Sequence, residues 1–235
     1  VGPTTPVAVA IMAKAPHAGQ VKTRLCPPLS PDEAAALYRC FLLDKIEQVR
    51  MLERVSPVVA FTPKDSREIF GTLAPDFSLL PQRGPDLGDR LAEILERLLA
   101  SGHQGAVAID SDTPTLPVTL LQQAVDLLAA PGADVVLGPT EDGGYYLIGL
   151  RAPQPELFVE MPWSTPDVLP ETRNRARRRG LRLVQLQPWY DVDTPEDLDR
   201  LRAELARSNE PGAPHTRRFF QALGPEPCRR EAREP

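Results

Sequence analysis

Three acidic turns, Asp110-Ser111-Asp112, Glu141-Asp142-Gly143-Gly144 and Asp191-Val192-Asp193, carry the side chains in this sequence best suited to chemistry. Each stands where an apolar run ends. Asp-x-Asp can turn both carboxylates to one side once the chain bends, and Mg²⁺ typically takes one or two carboxylates together with phosphate oxygens. The first and third turns also read as structural approaches to helices, with Thr194 a good cap and Pro195 a good first-turn residue. In the middle turn, Gly143 and Gly144 admit unusual backbone conformations and leave no side chain to fend off a ligand. An Asp-Gly turn of this kind is equally a common hairpin device. Three such turns in one chain point to a shared pocket.

Lys14, Lys22 and Arg24 crowd around Gly19 in the segment after the first apolar run. Cations there suit a nucleotide's phosphates, Arg offering a bidentate fork, although a solvated basic loop has the same composition. The segment is neither G-x-G-x-x-G nor a Walker loop, so it supports neither a Rossmann dehydrogenase nor a P-loop ATPase. No Ser or Cys has a nucleophile-elbow context. His17, His103 and His215 have no evident partner, and Trp163 either covers a sugar or base or simply packs.

The elements that must position these residues follow from periodicity. Strands are expected at 7–12, 57–62, 77–80, 106–109, 134–138, 145–150 and 181–186. A capping box at Ser30-Pro31-Asp32-Glu33 opens a helix that runs to about Leu52. Further helices are expected at 65–73, from Asp86, at 117–129, after Thr165-Pro166, from Thr194 to about Arg207, and as a short docked helix at 216–223. Residues 152–162 read as loop. Leu91, Ile94, Leu95, Leu98 and Leu99 make one apolar face. Strands alternating with helices argue for an α/β fold, a mostly parallel sheet between helical layers. Residues 1–223 form one domain on this reading, and 224–235 a disordered tail.

The chain has 235 residues, with 27 basic and 32 acidic side chains and a formal net charge of −5. That length suits one large domain. The charge argues against a general nucleic-acid binder or an anionic-membrane protein. The exception is local: Arg173, Arg175, Arg177, Arg178, Arg179 and Arg182 crowd what reads as the solvated end of a helix closed by Gly180. Cys26, Cys40 and Cys228 lack metal-ligand spacing, and their odd number resists a disulfide framework, so a reducing cytoplasm is expected. The apolar run 7–12 is too short for a membrane span and lacks a charged leader. The chain opens on Val1 rather than Met, which suggests trimming or processing.

Taken in order, the motifs resemble a family of bacterial GT-A-like transferases. That family is often described as glycosyltransferases, or as radical-SAM/selenodomain-associated transferases linked to arsenosugar biosynthesis. The matching residues begin with Lys14-Ala15-Pro16, Gly19-x-Val21-Lys22-Thr23-Arg24-Leu25 and Asp86-Leu87-Gly88-x-Arg90. They continue with Ser111-Asp112-x-Pro114-x-Leu116, Gly138-Pro139-x-x-Asp142-Gly143-Gly144-Tyr145-Tyr146, Trp163-Ser164-Thr165 and Asp191-Val192-Asp193-Thr194-x-x-Asp197-Leu198. The same fold is similar to that of phospholactate guanylyltransferase and molybdenum-cofactor guanylyltransferase.

The resemblance implies a nucleotide-diphospho-sugar transferase fold, a Rossmann-like α/β/α sandwich with a mixed, mostly parallel sheet. It implies Mg²⁺ or Mn²⁺ on Asp112, with Asp193 as second ligand. Asp110 and Asp191 remain further candidates, although Asp110 stands where the family would carry a small residue such as Gly. Lys14, Gly19, Lys22, Arg24, Asp86, Arg90, Gly143, Gly144 and Trp163 are the expected nucleotide and substrate contacts. Asp112, Asp142 and Lys22 are the expected catalytic residues. The leading expectation is glycosyl transfer from a nucleoside diphosphate-sugar to a small acceptor by a monomer or homodimer. The alternatives are nucleotidyl transfer from a triphosphate, and a non-catalytic nucleotide-binding or complex-forming protein.

Overall fold

A computed structural model describes residues 6–207 and 212–224. Among the described residues, seven strands form one sheet in the order β3-β2-β1-β4-β6-β5-β7. They are β1 (Val7–Lys14), β2 (Val55–Thr62), β3 (Ser78–Pro81), β4 (Ala106–Ile109), β5 (Val135–Pro139), β6 (Tyr145–Leu150) and β7 (Leu183–Gln185). Every pairing is parallel except those of β6, which runs antiparallel between β4 and β5. The expected mixed, mostly parallel sheet is therefore present. The first strand is longer than its apolar run, because Lys14 still pairs with Thr62.

Alternation along β1 explains the layers. Val7, Val9, Ile11 and Ala13 face one core, and Ala8 and Ala10 the other. Side chains of a strand point to opposite faces in turn, so a sheet covered on both sides needs apolar residues at every position. The first core packs against α1 (Pro31–Arg50), α2 (Arg67–Leu73), α4 (Val118–Ala129) and α6 (Pro195–Arg207). The second packs against α3 (Leu87–Ala100) and α5 (Val168–Arg178), through Leu91, Ile94, Leu95, Leu98 and Ala176.

The capping box of α1 forms as its sequence dictates: Ser30 Oγ accepts from the Glu33 amide, and Glu33 Oε2 from the Ser30 amide. The segment 155–157, expected as loop, makes one short 3-10 turn, and α5 starts at Val168, later than Thr165-Pro166 suggests. Thr165 Oγ1 instead takes the Asp167 amide, which stabilises a turn before the helix. The arginine cluster does lie at the end of α5, which Gly180 closes with φ +66. Arg175 is the exception to its solvated character, bonded to Glu171 and to the carbonyls of Glu156, Val159 and Glu160.

The last helix, α7 (Pro214–Leu223), docks on α1, with Phe219, Phe220 and Leu223 against the first core. Asp44 caps it by accepting from the amides of His215 and Thr216, while His215 Nε2 lies 2.7 Å from Glu47. Of the loose tail expected at 224–235, residues 225–235 lie outside the described residues. Among the described residues no helix is long and apolar enough to cross a membrane.

Candidate active site

The strand order reverses between β1 and β4: β1 is followed by its neighbour on one side, β4 by strands on the other. Open α/β sheets collect ligands outside the carboxyl ends of strands at such a point. Here the loop after β1 and the turn after β4 meet there. A cleft of about 240 Å³ lies between them, lined by Lys14, Gln20, Val21, Lys22, Thr23, Arg24, Tyr38, Asp112 and Asp193. Its size is below the roughly 300–1,000 Å³ of pockets that enclose a whole drug-sized ligand. A larger ligand would lie partly outside it.

Lys22 is the centre of the cleft. Its side chain is 5 % exposed, and its ammonium lies 2.6 Å from Asp112 Oδ1 and 2.8 Å from Asp193 Oδ1. It also donates to the Val192 carbonyl at 2.8 Å. Burial works to lower its pKa, but Asp112 and Asp193 outweigh that and hold the ammonium above its ordinary value. Two turns 81 residues apart thus aim their carboxylates at one positive charge. The Val192 amide donates to the Asp112 carbonyl at 3.0 Å, so the backbones of the two turns are tied together as well. Asp197 Oδ2 accepts from the amides of Asp193 and Thr194, which fixes the second turn at the start of α6.

The other predicted residues fall into two groups. Lys14, Gly19 and Arg24 belong to the cleft loop. Lys14 Nζ closes it by donating to the Gln20 carbonyl, and Gly19 supplies a left-handed residue at φ +71. Arg24 is 73 % exposed, with its guanidinium 3.8 Å from Asp193. Away from Lys22, Asp110 accepts from Thr113 Oγ1 at 2.7 Å and faces the buried Lys45 at 3.8 Å. Burial pushes the Asp110 carboxyl up to about 6, with Lys45 opposing and Asp112 adding to the rise. Asp191 is raised to about 7 by burial and by the charges of Asp142 and Asp193, so it stands in the same acidic surroundings.

Asp142 Oδ1 accepts from Thr140 Oγ1 at 2.5 Å and from the Gly144 amide at 3.0 Å, which closes the β5–β6 turn on itself. Gly143 has φ +95, and a Cβ there would lie 2.5 Å from the Pro166 carbonyl oxygen. Trp163 is half-buried, edge-on to Tyr145, and leaves no room for a side chain at Gly88. Asp86 accepts from the Asp89 amide as the cap of α3, and Arg90 donates to the carbonyls of Gly84 and Pro85. Both hold their own loop in this structure.

Sequence reasoning passed over Tyr38, which is buried yet lines the cleft. Lys14 donates its amide to the Tyr38 hydroxyl at 3.1 Å. Ser111 Oγ donates to the Met12 carbonyl at 3.1 Å, which leaves Tyr38 to donate to Ser111 at 2.8 Å. Burial, then the Asp112 charge, pushes the phenol up to about 12. The signal that could have found it is its place on α1, three residues before Phe41, whose ring lies 5.8 Å from the Lys22 ammonium. A third carboxylate group, Asp44 and Glu47 with His215, also gathers metal-type ligands. The amides and hydroxyl of α7 already satisfy Asp44, so this trio reads as a helix lock.

A divalent ion fits the donor set at the cleft: Asp112 and Asp193 offer hard carboxylate oxygens that already share one cation, beside room for phosphate.

A sequence profile described as "Uncharacterized protein conserved in bacteria (DUF2064)" matches residues 45–165. The crystal structure of a Desulfovibrio desulfuricans G20 protein, provisionally named a nucleotide-diphospho-sugar transferase, is 33 % identical. It superposes with a TM-score of 0.84 over 92 % of this chain and 94 % of its own. Two curated proteins called 2-phospho-L-lactate guanylyltransferase are also similar. The one from Haloarcula marismortui is 28 % identical over 75 % of this chain and 77 % of its own. The one from Methanothermobacter thermautotrophicus is 29 % identical over 77 % and 78 %.

Proposed function

The chain belongs to the DUF2064 family of bacterial proteins, and we propose that it transfers a nucleotidyl group from a nucleoside triphosphate to a phosphorylated small molecule. Its relatives carry transferase names, and it is an enzyme of that class. The observation that carries the reading is the cleft itself, where Lys22 joins Asp112 to Asp193 and which Lys14 and Arg24 also line. A triphosphate needs positive charge, which Lys14 and the exposed Arg24 bring to the cleft.

In the reaction proposed, an oxygen of the acceptor's phosphate attacks the α-phosphorus. The bond from that phosphorus to the bridging oxygen of the β-phosphate breaks, and pyrophosphate leaves with the electron pair. Asp112 and Asp193 would hold a divalent ion, Mg²⁺ or Mn²⁺, which when bound supplies positive charge to the phosphate oxygens. Arg24 stabilises charge on the leaving pyrophosphate, Lys22 holds the Asp112 and Asp193 carboxylates together behind it, and Lys14 steadies the loop that carries both cations. An anionic phosphate acceptor needs no general base. That suits Asp142, whose Oδ1 is engaged in its own turn. The names of the curated relatives make guanosine triphosphate and a phosphorylated hydroxy acid the first pair to test. We place the reaction in the cytoplasm, which suits the free thiols of Cys26 and Cys40.

The second reading is glycosyl transfer from a nucleoside diphosphate-sugar, favoured by the name of the Desulfovibrio protein. The arsenosugar-linked assignment is a narrower form of it. Thermal stabilisation separates the two. A ligand at about a hundred times its dissociation constant raises stability by roughly 2.7 kcal/mol. Mg²⁺-dependent stabilisation by one triphosphate, with pyrophosphate released when phosphorylated acceptors are added, is the expected result. Asp112→Asn should abolish turnover while the protein stays folded. Stabilisation by a diphosphate-sugar above every triphosphate would transfer the assignment to the second reading. No response to any nucleotide would leave neither standing.

A further inference from the structure

Lys45 is a charged side chain with no exposed surface, and nothing in the reaction above uses it. Its ammonium donates to the Thr113 carbonyl at 2.9 Å and to Thr113 Oγ1 at 2.7 Å. Thr113 Oγ1 in turn donates a hydrogen bond to Asp110 Oδ1 at 2.7 Å, and that carboxylate lies 3.8 Å from the ammonium. Burying a charge is costly unless it is paired and hydrogen-bonded, so this arrangement persists only as a complete unit.

Lys45 is one of three side chains on the same stripe of α1 that hold the turn after β4. Tyr38 bonds Ser111 at 2.8 Å, and Gln48 Nε2 donates to the Pro114 carbonyl at 2.7 Å. Lys45 follows Tyr38 by seven residues and precedes Gln48 by three, spacings that keep neighbours on one side of a helix, so a single rigid helix grips residues 110, 111, 113 and 114. Asp112 is the member of the turn whose side chain is left to meet Lys22.

We propose that Lys45 is a positioning residue, whose buried ammonium fixes the acidic turn so that the Asp112 carboxylate is presented to the phosphate-binding cleft. The inference rests on the reading of Asp112 as a metal ligand. Residues that orient a ligand from behind typically change metal affinity by about 10–100-fold when replaced.

The test is Mn²⁺ binding followed by electron paramagnetic resonance, with guanosine triphosphate present, for the wild type, Lys45→Met, Thr113→Val and Asp112→Asn. Circular dichroism and the thermal midpoint report the fold of each. Lys45→Met keeps the length of the side chain and removes its charge; Thr113→Val keeps the shape and cuts the link to Asp110. The expected result is a loss of Mn²⁺ affinity of about 10–100-fold in folded Lys45→Met, with a smaller loss in Thr113→Val. A purely structural role would lower the midpoint and leave the affinity of the folded protein unchanged. Wild-type affinity in folded Lys45→Met overturns the proposal. Should that variant not fold, wild-type affinity in Thr113→Val overturns it instead. Asp112→Asn separates the two levels: if it binds Mn²⁺ as the wild type does, the metal-site reading fails, and the inference falls with it.

Discussion

At the scale of single residues, opposite charges meet in the cleft under conditions that neither would tolerate alone. Lys22 is nearly buried and holds a left-handed backbone at φ +47, a conformation that costs a non-glycine residue on the order of 1 kcal/mol or more. Two carboxylates and a backbone carbonyl offset that cost. Asp142 differs because its bonds are local. A general base contributes about 10²–10⁴-fold to a rate, so Asp142→Asn distinguishes the two transfer reactions. Nucleotidyl transfer to a phosphate acceptor predicts turnover within about tenfold of wild type, measured as pyrophosphate release. A loss of about 10²-fold or more would instead make Asp142 the base of a sugar transfer.

At the scale of elements, the β5–β6 hairpin and the loop before α5 are fitted to one another at Gly143. Its positive φ and the approach of Pro166 exclude any Cβ. The Leu169 amide also donates to the Gly143 carbonyl at 2.9 Å, so the turn anchors the start of α5. Gly143→Ala is expected to destabilise the protein by about 1–3 kcal/mol, read from the urea midpoint, because both backbone strain and a clash must be relieved. A wild-type midpoint would show that the loop yields freely, and that it does not hold the hairpin in place. The first turn depends in the same way on α1, whose face supplies the polar groups that bond residues 111, 113 and 114.

At the scale of the molecule, the sheet ends on β7, a three-residue strand paired with β5 and reinforced by one ion pair. Asp134 accepts from the Arg182 amide, Nε and Nη2 at 2.9, 3.0 and 2.8 Å. These bonds hold its carboxyl down at about 2, below the ordinary 3.8. A carboxyl depressed by folding adds stability above its unfolded value and loses it as pH falls through its folded value. Asp134→Asn should therefore lower the urea midpoint slightly at pH 7, as befits an exposed pair, and the deficit should shrink as pH falls from 4 towards 2. An equal deficit at both ends of that range would assign the effect to lost hydrogen-bond geometry rather than to charge.

The sequence by itself determined the order of strands and helices, because burial on both faces writes continuous apolar runs such as 106–109. Amphipathic periodicity and the capping box at Ser30 likewise mark their helices without reference to the rest of the chain. It also placed Asp112, Asp193 and Lys22 among the candidates, since acidic turns after apolar strands and a basic loop around a glycine are local patterns. What it could not supply was partnership. Lys45, between Asp44 and Ile46 and two residues from Glu47, bears no mark of burial in its spacing, yet it is wholly buried. Asp86 caps its own helix and Arg90 bonds the carbonyls of its own loop, contacts that their motif did not indicate. His215, which showed no partner in sequence, meets Glu47 from 168 residues away. Only the tertiary structure decided these, because a charge's role depends on which distant groups share its low-dielectric surroundings, and sequence spacing carries no record of that distance.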